Sequence, residues 1–173
     1  MDRVIELQSY DERWALSFQE EEDVLRLTLA EAFIGAYHIG STAIPSIKAK
    51  PVIDLLVVVK SIDTVDPLTD VLSQQGYVSQ GEHGIPGRRF FYKGEIVRTH
   101  HLHVYPHGHA EIERHVLLVD YLNGHYEKAK EYERLKIALA GRYKNSPDAY
   151  CEGKTGLVRR LEREAFAWKG TLK

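Results

Sequence analysis

The sequence predicts an α+β domain in which helices flank a small mixed β-sheet and the C-terminal part is helical. Three observations carry that prediction: a helical pattern opens the chain, short strands and one helix fill the middle, and the end is helical. A chain of 173 residues can bury one sizeable core and is too short for two ordinary domains. We therefore expect a single domain over residues 1–173, with the helices on one side of the sheet.

The first third of the chain predicts one helix and two strands. Apolar residues recur near helical spacing over residues 11–33, with acidic residues between them. A short apolar segment at residues 36–39 predicts a strand that ends at a turn made by Gly40 and Ser41. Residues 52–59 form an apolar run with one carboxylate in it, which is typical of a strand buried on both faces. The glycine-serine turn is therefore expected beside a central strand.

The rest of the chain predicts a second helix, three more strands and a helical end. Apolar spacing predicts the helix over residues 65–76. Segments rich in Gly and Pro separate three predicted strands, at residues 77–80, 88–94 and 95–106. From residue 110 the pattern is helical, with breaks at residues 123–124 and 145–147, where Asn, Gly, Ser and Pro occur. The C-terminal part should therefore contain three helical segments.

Composition excludes several classes of protein. The chain is 43% hydrophobic and 28% charged, as in ordinary folded proteins. Its formal charge of -2 provides no overall positive field, so we expect no nucleic-acid partner. The single cysteine, Cys151, excludes an internal disulfide and a thiolate-rich zinc site. The sequence has no signal-peptide pattern, so we expect a cytoplasmic location. It also has no apolar run near the roughly 20 residues that cross a bilayer, so we expect no membrane contact.

The turn at Gly40 and Ser41 has the residue types of a phosphate site. Gly40 lets the backbone approach a phosphate closely, and Ser41 offers a hydroxyl. The same residues suit an ordinary turn with Ser41 as a helix N-cap, and the pattern alone does not decide between the two. Lys50 adds a cation just ahead of the buried strand, at the edge of the sheet where ligands gather.

Asp54 stands inside the apolar strand and needs a partner, since an isolated ionised carboxylate is costly to bury. If residues 95–106 form a strand, His101 and His103 point to the same face because side chains alternate along it. Two imidazoles and a carboxylate from adjacent strands would form a first shell for Mn, Fe or Zn. Hydrogen bonds from the histidines to Asp54 and to a phosphate are the equally weighted alternative.

Four further cations are candidates for phosphate contact. Alternation sends Arg88 and Arg89 to opposite faces of their strand, so at most one of them can serve the pocket directly. Lys136 and Lys154 lie on helical stripes that otherwise face the core, which is costly for a lysine unless it reaches an anion. Snorkelling to solvent is the alternative for each lysine.

The motifs taken together resemble those of one family. The longest is HIGSTAIPSIKAKPVIDLLV at residues 38–57, and the others are YDERW, GIPGRRFF, HHLHV, DYL, YERLK and YCEGK. On these motifs, which cover nearly the whole chain, the sequence is identified as a member of the GrpB family. That family is similar in fold to the DNA polymerase beta-type nucleotidyltransferases.

The resemblance implies a site in which a glycine-serine turn and strand carboxylates hold metal and triphosphate. The glycine-serine turn of this chain matches that turn, and Asp54 matches the second carboxylate of the pattern. Val52 occupies the first carboxylate position, and His101 or His103 lies near the third. The resemblance thus implies an Asp-His-His set in place of three aspartates, so the usual two-magnesium transfer does not carry over intact.

Two classes of function follow from these residues. The first is a nucleotidyl- or phosphoryl-transferase in which Asp54, His101 and His103 act in catalysis and hold one Mg, Mn or Zn ion. Its nucleotide would be bound by Gly40, Ser41, Lys50, Arg88 or Arg89, Lys136 and Lys154. The second is a module that binds a nucleotide or a CoA-like ligand without turnover. This hypothesis is favoured because Val52 stands where the resemblance places the first carboxylate. A metal-dependent phosphohydrolase fits the same residues, and a small phosphate-bearing molecule is the expected partner throughout.

Overall fold

The computed structural model describes residues 4–94 and 96–172 and confirms the predicted α+β class. In this part of the chain, five strands form one sheet. The strands are β1 (Phe33–Ile39), β2 (Ile53–Val59), β3 (Tyr77–Ser79), β4 (Arg89–Lys93) and β5 (His100–Pro106). The helices are α1 (Arg13–Leu29), α2 (Thr69–Gln74), α3 (Ala110–Gly124), α4 (Tyr126–Arg142) and α5 (Pro147–Thr171).

The sheet is mixed, with the strand order β1-β2-β5-β4-β3. β2 and β5 run parallel near its centre, and the other neighbouring strands are antiparallel. Parallel strands need a long connection, and here α2, β3 and β4 all lie within the connection from β2 to β5. The parallel register sets Asp54 directly opposite His101. Two site residues that are far apart in the sequence are therefore neighbours in the sheet.

Helices cover both faces of the sheet, so the expectation that they lie on one side is wrong. On one face, Leu25 of α1 and Leu72 of α2 share a core with Leu55. On the other face, α3, α4 and α5 cover a second core that contains Leu56 and Leu161. Because side chains alternate along a strand, the complete burial of residues 55–59 in β2 requires cover on both faces.

Two element boundaries near the start differ from the prediction. α1 ends at Leu29, before the predicted end, because a short 3-10 turn at Ala30–Ala32 follows it. β1 then begins at Phe33 and is longer than predicted. The second helix, predicted over residues 65–76, is divided into the 3-10 turn Asp66–Leu68 and α2.

A loop replaces the start of the last predicted strand. β5 begins only at His100, and residues 96–99 form a loop, while Glu95 lies outside the described residues. Gly94 has a φ of +91°, and a Cβ at this position would meet the main-chain oxygen of Val97 at 2.0 Å. The chain therefore turns sharply after β4, in a conformation that requires glycine.

The helical end is confirmed, with breaks where the sequence predicts them. α3 ends at Gly124, and α5 begins with Pro147, whose fixed φ suits the first turn of a helix. Among the helices of the described residues, none combines the length and the apolarity that a bilayer span needs.

Candidate functional site

A tight turn after β1 forms one side of the candidate site. Gly40 connects β1 to the 3-10 turn Ser41–Ala43 and has a φ of +71°. A Cβ at this position would be strained and would lie 2.5 Å from Oδ2 of Asp54. Behind the turn, Nε2 of His38 lies 2.9 Å from the hydroxyl of Thr42. Glycine is therefore the residue that fits between the turn and the carboxylate.

Asp54 and His101 form a hydrogen-bonded pair at the start of two neighbouring strands. Nδ1 of His101 donates to Oδ1 of Asp54 at 2.9 Å. Burial raises the pKa of Asp54, but the hydrogen bond from His101 and the positive charge of Lys50 act against it, and the net result is a pKa below the usual range. The carboxylate is therefore ionised at neutral pH, and Nε2 of His101 is left as the nitrogen that can accept a proton.

His103 shares a face of β5 with His101 but has different neighbours. Its Nδ1 lies 3.4 Å from Nη1 of Arg88, and its ring centre lies 5.5 Å from that of His115. Burial lowers the pKa of His103 to about 3, so this histidine is neutral at neutral pH. In the described part of the chain, no group of three His, Cys, Asp or Glu side chains is placed to hold a metal ion.

The expected ion site therefore does not fit this geometry. The Oδ1 atom of Asp54 accepts the hydrogen bond from His101, and His103 faces a guanidinium, which repels a cation. The three residues share one face of the sheet, as the alternation of side chains predicts, without converging on a common point.

Three lysines and two tyrosines form the other side of the site. Lys136 is only 1% exposed, and its Nζ lies 4.9 Å from the ring centre of Tyr132. The Nζ atoms of Lys154 and Lys50 lie 4.5 and 5.1 Å from the ring centre of Tyr150. Burial, followed by the positive charge of Lys154, lowers the pKa of Lys136 to about 7. On this side of the site, the ammonium groups of the lysines therefore repel one another.

The two sides enclose a cleft of about 200 Å³. Seven of the predicted site residues line it: Gly40, Ser41, Lys50, Asp54, His101, Lys136 and Lys154. Neither predicted arginine lies in this lining, and nor does His103. Arg88 instead donates to the main-chain oxygens of Glu82 and His83, and Arg89 pairs with Asp66 at 2.5 Å. The expected arginine contact is not formed because both guanidinium groups bind within the protein.

Tyr132 and Tyr150 are lining residues that the sequence assigns only to core-facing helical stripes. Each tyrosine precedes a site lysine at i and i+4, which places ring and ammonium on the same helix face. The repetition of this pair on α4 and α5 is the signal from which the tyrosines could have been predicted. Burial raises the pKa of Tyr132 to about 12, so its hydroxyl stays neutral. Cys151, which lies within the motif YCEGK, also lines the cleft, and the sequence assigns it no role in the site.

A larger groove of about 630 Å³ lies elsewhere, against β1 and the start of α3. None of the predicted site residues lines it. Two oppositely charged residues in its lining, Glu113 and Lys169, pair with each other. The smaller cleft, which has three lysines in its lining, is therefore the better candidate for an anionic ligand.

Comparison with known proteins decides the family. The family model described as GrpB protein matches residues 4–164. The chain belongs to the GrpB family. The glutamate-rich protein GrpB of Alkalihalophilus pseudofirmus is 33% identical over 163 residues, which cover 91% of this chain and 94% of that protein. The UPF0157 protein YqkA of Bacillus subtilis is 44% identical over 167 residues, which cover 96% of this chain and 49% of that protein, so the chain spans about half of YqkA.

A solved structure has the same fold as this GrpB-family chain. It is the crystal structure of conserved protein GrpB from Enterococcus faecalis, with a TM-score of 0.91, 38% identity, and coverage of 95% of this chain and 99% of that one. The Cid1 poly(U) polymerase bound to MgATP is a weaker match, with a TM-score of 0.49, 14% identity, and coverage of 75% and 45%. The mixed sheet flanked by helices agrees with the fold that the GrpB resemblance implies, and the chemistry of the cleft rests on its own residues.

Proposed function

We propose that this GrpB-family chain binds a nucleotide or a related phosphate ester, with the phosphate groups in the cleft between Asp54 and the lysines. One observation carries the proposal: Lys50, Lys136 and Lys154 converge on a single small cleft. Burial, and after it the like charge of Lys154, lowers the pKa of Lys136, so a positive charge is costly at this place. A bound polyanion would interact favourably with all three lysines, and lysine is a common phosphate ligand.

Neutral groups around the lysines complete the proposed phosphate site. The turn at Gly40 has no side chain to keep a phosphate away from its backbone. Ser41 and Tyr132 both line the cleft, and their hydroxyls can donate hydrogen bonds to phosphate oxygens. The site thus combines positive charge with hydrogen-bond donors, as phosphate recognition requires.

The finer proposal is transfer of a nucleotidyl or phosphoryl group to an acceptor hydroxyl. The acceptor oxygen bonds to phosphorus as the bond to the leaving phosphate oxygen breaks, and Nε2 of His101 takes the hydroxyl proton. Asp54 positions the imidazole and stabilises its protonated form, while the lysines offset charge on the leaving phosphate. His103, expected from the sequence to act in catalysis, has no part in this proposal because it lies outside the cleft lining.

A divalent ion has no step in this proposal. The described residues do not assemble a three-residue ion site. Mg²⁺ is often held by one or two carboxylates together with substrate phosphates, so Asp54 is the residue that an ion bound to the nucleotide would contact. The Mg, Mn or Zn ion expected from the sequence is therefore tested by adding it together with the nucleotide in the binding experiments.

Binding without turnover is the second candidate function. Val52 lines the cleft at the position where the family resemblance places the first carboxylate. One carboxylate alone does not support the two-metal mechanism, so a nucleotide or CoA-like ligand bound without reaction fits the same geometry. The metal-dependent phosphohydrolase is less well supported, because the described residues form no ion site.

Isothermal titration calorimetry with tripolyphosphate and with ATP, each with and without a divalent ion, tests the binding proposal. We expect Lys154→Ala to bind both anions at least about tenfold more weakly than wild type, because it removes a charged hydrogen-bond donor. Lys60→Ala is the matched control: it removes the same charge at the opposite end of β2, from a side chain that is 62% exposed. Equal affinities for the two variants would contradict the proposal.

Turnover of ATP distinguishes transfer from binding alone. If transfer occurs, His101→Ala should lose product formation while it still binds tripolyphosphate. Product formation at the wild-type rate in this variant would exclude His101 as the base. Saturable ATP binding with no product, across a set of hydroxyl acceptors, would favour the binding module.

A further inference from the structure

A second groove of about 440 Å³ adjoins the phosphate cleft. The two share three lining residues, Lys50, Val52 and His101. Most of the remaining lining of the groove is apolar, from Val4, Ile5, Pro51, Ile96, Val97 and Pro147. The combined depression thus has a charged end in the cleft and an apolar end in the groove.

Two apolar side chains stand exposed at the rim of this groove. Ile96 is 72% exposed and Val97 is 69% exposed, in the loop between β4 and β5. Gly94 has a positive φ, and the Thr99 amide donates to the Lys93 oxygen at 2.9 Å, so the two ends of this connection lie close together. Exposed apolar residues that extend the apolar wall of a groove enlarge the apolar surface available to a ligand, and contiguous surfaces of this kind often mark ligand-binding grooves.

Val52 and His101 connect the groove to the reacting end of the cleft. Val52 presents an apolar surface where the family resemblance places a carboxylate, and it lines both spaces. His101 is held by Asp54 through Nδ1, so its ring forms a fixed boundary between the two. A molecule whose phosphate lies among the lysines therefore has its next atoms directed along an apolar wall.

We propose that the ligand of the cleft carries an apolar organic group, aliphatic or aromatic, that lies in the groove against Val52, Ile96 and Val97. This inference rests on the proposed function, because the phosphate groups anchor the molecule. Grooves of about 300–1,000 Å³ with mostly apolar walls and few polar groups are usual for organic ligands. The substrate class is therefore a phosphate ester with an apolar body, which buries the exposed rim when it binds.

Two diphosphate esters of equal charge test the inference by calorimetry. Methyl diphosphate reaches only the cleft, whereas hexyl diphosphate adds an alkyl chain for the groove. We expect wild type to bind the hexyl ester at least about tenfold more tightly, since each buried methylene adds affinity. The double variant Ile96→Ser/Val97→Ser should reduce that advantage to about threefold or less and leave the methyl ester unaffected. Leu27→Ser, at a position that is 81% exposed on α1, is the matched control.

The outcomes separate this inference from the proposal on which it rests. If methyl diphosphate binds but the hexyl ester gains nothing, or if its gain persists in the double variant, the groove does not hold the organic group. If neither ester binds wild type, the phosphate proposal fails and this inference fails with it. Both exchanged side chains are exposed, so an unchanged melting temperature in the double variant verifies that it is folded.

Discussion

The Oδ2 atom of Asp54 occupies the space that a Cβ at position 40 would need. The distance from that oxygen to an ideal Cβ on Gly40 is 2.5 Å, and the residue also has a positive φ. The turn after β1 and the carboxylate on β2 are therefore one structural unit. A change at either position should disturb the other, and with it the hydrogen bond that His101 donates to Asp54.

Gly40→Ala should weaken tripolyphosphate binding by at least about tenfold, because the added methyl displaces the carboxylate or the turn. It should also lower stability by about 1–2 kcal/mol through backbone strain. Gly108→Ala is the control, since Gly108 has a φ of +82° and a Cβ there would meet nothing within 4 Å. Calorimetry and chemical denaturation should show a stability loss in both variants and an affinity loss in Gly40→Ala alone. Full affinity in Gly40→Ala would contradict the coupling.

Asp54→Asn should retain tripolyphosphate binding in the absence of divalent ions, or tighten it several-fold. The substitution removes a negative charge beside the bound phosphates and keeps an acceptor for His101. Calorimetry in buffer with a chelator measures this directly. A large loss of affinity under these conditions would show that the carboxylate has a role in binding that the cleft geometry does not explain.

The buried ammonium of Lys136 predicts how stability depends on pH. Burial and Lys154 lower its pKa from 10.5 to about 7, so the unfolded chain binds more protons between these values. The contribution of Lys136 to the unfolding free energy should therefore rise as the pH increases from about 7 towards 10. The unfolding free energies of wild type and Lys136→Met should diverge in favour of wild type by at most ~1.4 kcal/mol per pH unit. A difference that stays constant with pH would contradict the lowered pKa.

Arg88→Met should lower stability and leave phosphate binding unchanged. The buried guanidinium donates to the main-chain oxygens of Glu82 and His83, which lose their donor in the variant. The expected cost is about 1–3 kcal/mol, measured by chemical denaturation. If a folded Arg88→Met variant bound tripolyphosphate more weakly, Arg88 would contribute to ligand binding and the prediction would be wrong.

Most of the fold is predictable from local pattern. The helical end and its two breaks follow from turn residues and from apolar spacing. The error about helices on one side could have been avoided, since an apolar run such as residues 55–59 itself requires two covered faces. The shortened start of β5 depends on the turn at Gly94, where the main chain of Val97 leaves no room for a Cβ. Such a contact has no local signature.

The candidate site likewise has features that the sequence predicts and features that only the folded chain reveals. The pairing of Asp54 with His101 follows from strand alternation once β2 and β5 are neighbours, and the sequence alone does not give that order. Lys136 and Lys154 are recognisable in the sequence because a lysine on a core-facing stripe is costly unless its ammonium group reaches an anion. The positions of Arg88 and Arg89 depend on acceptors in a loop and on Asp66, which only the folded chain brings together.

A crystal structure of the chain grown with ATP would show directly whether phosphate groups bind in the cleft. We expect phosphate oxygens about 3 Å from Nζ of Lys154 and beside the turn at Gly40, with Nε2 of His101 facing the phosphates. Phosphates bound at another surface would contradict this expectation, as would an empty cleft at an ATP concentration that saturates the protein in calorimetry.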